Sequence, residues 1–156
     1  MKCRLIAAGT RLPDWINAGV HDYQKRLKKP ISLEVVEIAV AGRGLVANAE
    51  RAMHKEGEAM LSALGKEDFV VALEITGRAM STPDLAAWLT ARMRGGGNVA
   101  FLIGGPDGLA EGCRQRAKLS WSLSPLTFPH ALVRVILAEQ IYRAASLIAG
   151  HPYHRV

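Results

Sequence analysis

The chain is poor in the residues that covalent and metal chemistry draw on. Cysteine occurs twice, as Cys3 and Cys113, with no Cys-x-x-Cys pair between them. That spacing excludes a disulfide framework and a thiolate metal site, and leaves two reduced, structural thiols as the expectation. Aromatic residues make up 6% of the chain, and acids (14) are outnumbered by Lys and Arg (20). No apolar run approaches the roughly 18 residues that a membrane span needs. The opening Met1-Lys-Cys-Arg4 leads into only a short apolar stretch, Leu5 to Ala8. This is too little for a secretory signal, so the expected location is cytoplasmic. No G-x-S-x-G elbow is present, and no Lys-Ser/Thr follows a glycine loop in P-loop spacing. Serine-hydrolase and nucleoside-triphosphate readings lose their usual anchors. Repeats, low-complexity tracts and linkers are also missing, so residues 1–156 are expected to form one domain.

What is present is a globular balance, 49% apolar and 22% charged, in a chain long enough to bury a core. The net charge of +6 is uneven. The first thirty residues carry Lys2, Arg4, Arg11, Lys25, Arg26, Lys28 and Lys29 against Asp14 and Asp22. Residues 31–100 are mildly acidic, and the remainder is basic again. Basic ends around an acidic middle point to a polyanionic partner, nucleic acid first, with an ordinary solvated surface as the alternative.

Apolar periodicity alternates strand and helix. Strands are expected at Lys2–Ala8, Leu33–Val40, Phe69–Ile75, Asn98–Ile103 and Trp121–Leu123. Helices are expected from Leu12-Pro-Asp-Trp15 to about Leu27, over Ala47–Leu64, from Ser81-Thr-Pro-Asp84 to about Arg94, over Leu109–Lys118 and over Leu132–Ala149. The pattern is that of an α/β fold with a mainly parallel sheet and helices on both faces. The last helix is apolar nearly all round, through Leu132, Val135, Ile136, Leu137, Ile141, Tyr142, Leu147 and Ile148. A small monomer rarely hides such a helix, so part of it is expected to meet a second copy.

Four segments offer chemistry. Gly42-Arg-Gly44-Leu-Val-Ala47 matches G-x-G-x-x-A and raises NAD binding. It follows the second strand, however, and opens a polar, acidic helix, which favours a basic loop instead. Gly104-Gly105-Pro-Asp-Gly108 follows a buried strand. It is either a tight turn or a place where Gly104 and Gly105 let backbone approach a flat ligand. Ser122 to His130 reads as backbone amides and carbonyls framed by Leu123, Leu126 and Phe128, a lining suited to a neutral heteroaromatic ring. The tail His151-Pro-Tyr-His-Arg155 is by default a frayed end, yet it gathers a titrating base, a stacking ring and a cationic fork.

These segments closely resemble the ribosomal RNA large-subunit methyltransferase H family of the SPOUT superfamily. The resemblance rests on Leu-Ile-Gly-Gly-Pro-Asp-Gly (102–108), Ser-Trp-Ser-Leu-Ser-Pro-Leu-Thr-Phe-Pro-His (120–130), Leu-Val-Arg-Val (132–135) and His-Pro-Tyr-His-Arg (151–155). It extends to Gly9-Thr-x-x-Pro-Asp-Trp15 and the Gly42-Arg-Gly44 loop, and so covers essentially the whole chain.

The resemblance implies a cytoplasmic homodimer that uses S-adenosyl-L-methionine to methylate N3 of a pseudouridine in helix 69 of 23S rRNA. It also implies a C-terminal segment threaded into a deep trefoil knot, a rare exception to unthreaded connections. Cofactor positions fall on Leu73, Gly104 and Leu123, Ser124, Pro125, Leu126, Thr127 and Phe128, with Gly105 added by the loop reading. An imide N–H acceptor must lose a proton while its ring gains charge. His130 and His154 are the candidate bases, Arg155 the charge stabiliser and Tyr153 the stacking partner. Lys25, Arg26, Lys28 and Lys29 are the expected phosphate contacts. An RNA-binding module without catalysis and an NAD enzyme remain the alternatives.

Overall fold

The structure is a computed structural model that describes residues 1–39 and 46–154. The Gly42-Arg-Gly44 loop and Arg155 lie outside the described residues, as does the side chain of His154. Five strands, β1 (Lys2–Ala8), β2 (Ser32–Ile38), β3 (Phe69–Ala79), β4 (Val99–Ile103) and β5 (Leu119–Ser122), form one sheet in the order β2-β1-β4-β3-β5. Every pairing is parallel. The helices between them are α1 (Asp14–Arg26), α2 (Val46–Ser62), α3 (Thr82–Gly95), α4 (Glu111–Arg116) and α5 (His130–Ile148), followed by a 3-10 turn at Pro152–His154.

Alternation along the central strands feeds two cores. Cys3, Leu5 and Ala7 of β1, with Val99, Phe101 and Ile103 of β4, face Leu85 and Leu89 of α3 and Leu137 and Ile141 of α5. The intervening Ile6, Ala8, Ala100 and Leu102 face Met60 of α2 and Cys113 of α4. A parallel sheet covered on both faces requires such unbroken apolar strands. Both cysteines are buried free thiols, and burial pushes Cys3 up to about 12.

The α3 start follows the expected signature. Ser81 Oγ accepts from the Asp84 N–H at 3.2 Å, and Asp84 accepts from the Ser81 N–H at 3.0 Å, a closed capping box. α5 lies between α1 and α3, and none of its residues is fully exposed, although Leu132, Val135 and Ile136 are only half-buried.

One strand departs from the expectation that it ends at Ile75. β3 continues to Ala79, but Leu73 and Arg78 both register with Trp121 of β5. Residues 74–77 therefore form a detour within the strand. A Cβ on Gly77 would lie 2.7 Å from the Trp121 backbone, so only glycine lets the returning chain press this closely on β5. The short helix expected over Leu109–Lys118 is trimmed to Glu111–Arg116, because Ala110 is extended and Leu119 is drawn into β5.

Candidate active site

The carboxyl ends of β3, β4 and β5 open onto a cleft of about 440 Å³, within the range of small-molecule sites. In doubly covered parallel sheets this is where ligands bind. Leu73, Gly104, Gly105, Leu123, Ser124, Leu126, Thr127 and Phe128 all line it, as does His130. Pro125, expected among them, is exposed and is not part of the wall. The walls are apolar, with Ile103, Leu109, Trp121 and Val133 completing them. Ile75 and Leu126 stand at the mouth with 54% and 69% of their surface in water, an unusual exposure for large apolar side chains.

The loop from Ser122 to Leu126 is fixed by its own hydroxyls. Ser122 Oγ donates to the Ser124 carbonyl at 3.0 Å, and Ser124 Oγ accepts from the Leu126 N–H at 3.0 Å. These serines shape the loop. The Gly104 position is equally constrained, for a nearer reason than ligand approach. A Cβ there would lie 2.4 Å from the Gly108 carbonyl carbon, inside the turn closed by the Gly108 N–H on the Gly105 carbonyl at 3.0 Å. Gly108 itself sits at φ +86°, where a side chain would be strained. The loop's shape therefore depends on glycine before any ligand arrives.

Two charged residues that the sequence reading did not single out support the cleft, Glu74 in its wall and Arg134 buried behind the start of α5. Glu74, the first residue of the β3 detour, accepts from Arg114 Nε at 2.8 Å, and that bond holds the Arg114 guanidinium above its usual range. Arg134, one turn into α5 from His130, is 1% exposed. Its Nη2 donates to the carbonyls of Ala8 (2.8 Å) and Gly9 (2.7 Å), and its Nη1 to Glu37 at 2.9 Å. Burial pulls its pKa down while Glu37 opposes that shift. Arg134 thereby pins the start of α5 to the end of β1. A Cβ on Gly9 would lie 3.2 Å from Arg134 Nη2 and 3.9 Å from His130 Nε2, so the three groups meet at one point. An arginine inside the apolar stretch Leu132–Ala138 was the available signal.

The tail is ordered through the 3-10 turn. The His151 N–H donates to the Ser146 carbonyl at 2.8 Å, and the Tyr153 ring packs on Tyr142 (centroids 4.6 Å) and under Arg143 (5.2 Å). A hydrogen bond with Tyr23 leads the causes that push the Tyr153 hydroxyl up to about 12. Tyr142 lies twelve residues beyond His130 on α5, about 18 Å along the helix at 1.5 Å per residue. The cleft and the tail of one chain are therefore apart, and Tyr153 does not join His130.

Comparisons with known proteins bear on this arrangement. A family model described as predicted SPOUT methyltransferase matches residues 1–154. Ribosomal RNA large subunit methyltransferase H from Alkalilimnicola ehrlichii is 54% identical over 155 residues, covering 99% of each chain. Among solved structures, a probable methylase family protein from Haemophilus influenzae Rd KW20 is similar in fold, with a TM-score of 0.56 at 10% identity. That match covers 99% of this chain and 70% of the other. By whole-length identity, a whole-chain family match and a shared fold, this chain belongs to the ribosomal RNA large subunit methyltransferase H family of SPOUT methyltransferases.

Proposed function

We infer that the protein transfers a methyl group from S-adenosyl-L-methionine to N3 of a pseudouridine in helix 69 of 23S rRNA, working as a homodimer on assembled ribosomes in the cytoplasm. The observation that carries this reading is the 54% identity along 99% of both chains to a ribosomal RNA large subunit methyltransferase H. The threading of the C-terminal segment into a deep trefoil knot belongs to the same proposal, as the family resemblance implies.

The cleft fits the methyl donor. Its apolar walls suit a purine face, and the backbone edges at Gly104 and along Leu123 to Phe128 can hydrogen-bond a ring without adding charge. When bound, S-adenosyl-L-methionine supplies an electrophilic methyl on a sulfonium. The chain's own task is then alignment and proton management. Leu73, Leu123 and Phe128 would hold the purine, and the Gly104–Gly108 turn would set its depth.

His130 lines the cleft at the helix start and is the base its own chain offers for the N3 proton. Tyr153 can act at this cleft only from a second copy, since in its own chain it is docked on Tyr142 and Tyr23, and His154 and Arg155 are proposed to act with it. This requirement, together with the half-buried apolar residues of α5, supports the homodimer. Arg155 would balance charge on the uracil ring as the proton leaves.

The apolar cleft favours this reading over an RNA-binding module without catalysis. The Gly42 loop on which an NAD reading depends lies outside the described residues. Two measurements test the proposal together. Calorimetric titration should show binding of S-adenosyl-L-methionine and S-adenosylhomocysteine but not NAD. Tritium transfer to ribosomes lacking the modification should label 23S rRNA at one pseudouridine. Label on another nucleotide, or no binding of the methyl donor, would refute it.

A further inference from the structure

At the amino ends of the strands, opposite the cofactor cleft, Lys66, Arg92, Arg116 and Lys118 surround a recess of about 180 Å³. The Phe69 ring in its wall has the Arg92 guanidinium 4.6 Å from its centroid and Lys118 Nζ at 5.9 Å. Among the described residues none of these four cations has a carboxylate partner within ion-pair distance. Two acids share the wall. Asp68 is taken by Arg4 Nη1 at 2.9 Å and by the Gly65 N–H at 2.8 Å, which leaves only Glu67, exposed, against four positive charges. Like charges gathered without counterions repel, and an anion seated among them removes that cost.

The recess does not end there. Lys118 is also a wall of a second indentation of about 310 Å³ along the β5 edge, with Arg114, Thr76 and Ser120. Glu74 belongs to that indentation and to the cofactor cleft alike. Shared walls thus join the basic recess to the cleft mouth. From Phe69 to Glu74 the distance is about 17 Å at 3.3 Å per strand residue. Glu74 faces this path already neutralised by Arg114 at 2.8 Å.

We propose that this edge of the sheet is an RNA track: the strand presenting the acceptor nucleotide lays its phosphodiester backbone in the Lys66, Arg92, Arg116 and Lys118 recess and follows β5 past Arg114 to the cleft. The inference rests on the rRNA methyltransferase reading and names a surface for its substrate. An extended backbone fits better than a bound small anion, because the positive recess opens into a groove that leads to the site of chemistry. The cation–π contacts hold Arg92 and Lys118 in place, which lowers the entropy lost on binding phosphate.

The test compares full-length wild type with Arg92→Gln/Lys118→Gln and with Lys66→Gln/Arg116→Gln, all checked for unchanged methyl-donor affinity by calorimetry. Binding to unmodified ribosomes and to protein-free 23S rRNA is measured from 50 to 200 mM salt. Each lost phosphate contact should flatten the log–log salt slope by about 0.7, so each double variant should flatten it by about 1.4. KM for ribosomes should rise about tenfold with kcat little changed. If the Phe69-contacting variant fails to fold, the exposed Lys66→Gln single variant should still flatten the slope by about 0.7. Unchanged slopes and KM in folded variants would overturn the track. Lost binding to ribosomes with unchanged binding to bare RNA would also overturn it, pointing to an acidic ribosomal protein instead. If wild type methylates no 23S rRNA, the functional reading falls separately, and the salt slope still decides the track because it needs no turnover.

Discussion

Replacing Arg134 with methionine tests how α5 is held at the cleft. Methionine keeps most of the apolar stem and removes the fork. Three acceptors lose their donor: the Ala8 and Gly9 carbonyls and Glu37. Glu37 is 37% exposed and can recover water, so its share is small. The two carbonyls sit beneath a side chain that is 1% exposed. Each unsatisfied acceptor costs about 1–3 kcal/mol, and losing the poorly solvated guanidinium, whose Nε has no partner among the described residues, returns part of it. A net loss of about 3 kcal/mol follows, which for a chain of this size lowers Tm by about 6–12 °C. Because His130 is one turn away and meets Arg134 at Gly9, methyl-donor affinity should fall as well. Arg134→Lys keeps the charge without the two-pronged geometry and should recover roughly half the stability. Calorimetric melting and ligand titration decide the matter. A methionine variant that melts within about 2 °C of wild type would mean that apolar packing alone seats α5.

Other outcomes follow from the same geometry. Gly104→Ala should weaken S-adenosyl-L-methionine binding at least tenfold by titration, since its Cβ must push the Gly108 carbonyl away, at a cost of about 1–3 kcal/mol; wild-type affinity would show that the turn yields. Deleting residues 153–156 should abolish tritium transfer while leaving cofactor affinity intact, and Arg155→Ala should lower kcat more than ribosome binding. Full turnover by the truncated chain would leave the chemistry to His130. Asp84 is held below 3.8 chiefly by its hydrogen bond with Ser81. A depressed carboxylate stabilises fully above its unfolded pKa and loses that contribution as pH falls through the folded one. Asp84→Asn should therefore lower stability at pH 7 and reduce the acid-induced loss below about pH 4, and parallel pH–stability curves would refute the cap's role.

Much of this was readable in the residues. Lys2–Ala8 was legible because a strand buried on both faces must be apolar throughout, and Ser81-Thr-Pro-Asp84 because a cap is a local device. Several of the residues that line the cleft were legible as glycines and small polar residues at strand ends. The course of β3 past Ile75 was not. Its detour, Glu74-Ile-Thr-Gly77, carries no strand alternation, and the pairing that reclaims the chain at Arg78 is made with Trp121, more than forty residues later. Arg134 showed as a charge within the apolar stretch Leu132–Ala138, but two of its three acceptors are backbone atoms about 125 residues away, and backbone carbonyls leave no mark in a sequence. The position of the tail was not legible. Its docking depends on Tyr23 and Tyr142, which signal only ordinary helix faces.

The β3 detour has an evolutionary meaning. Trp121 is matched once by Leu73 before it and once by Arg78 after it, so the ladder is anchored on both sides of residues 74–77. A strand normally tolerates no insertion, because one added residue turns every later side chain to the opposite face. Here residues 74–76 can lengthen, shorten or change composition while Gly77, pressed on the Trp121 backbone, and the register of the sheet stay fixed. This is also the segment that places Glu74 and Ile75 at the mouth of the cleft. The fold thus carries an editable lip on an otherwise fixed pocket, and relatives could vary what they admit there without having to refold.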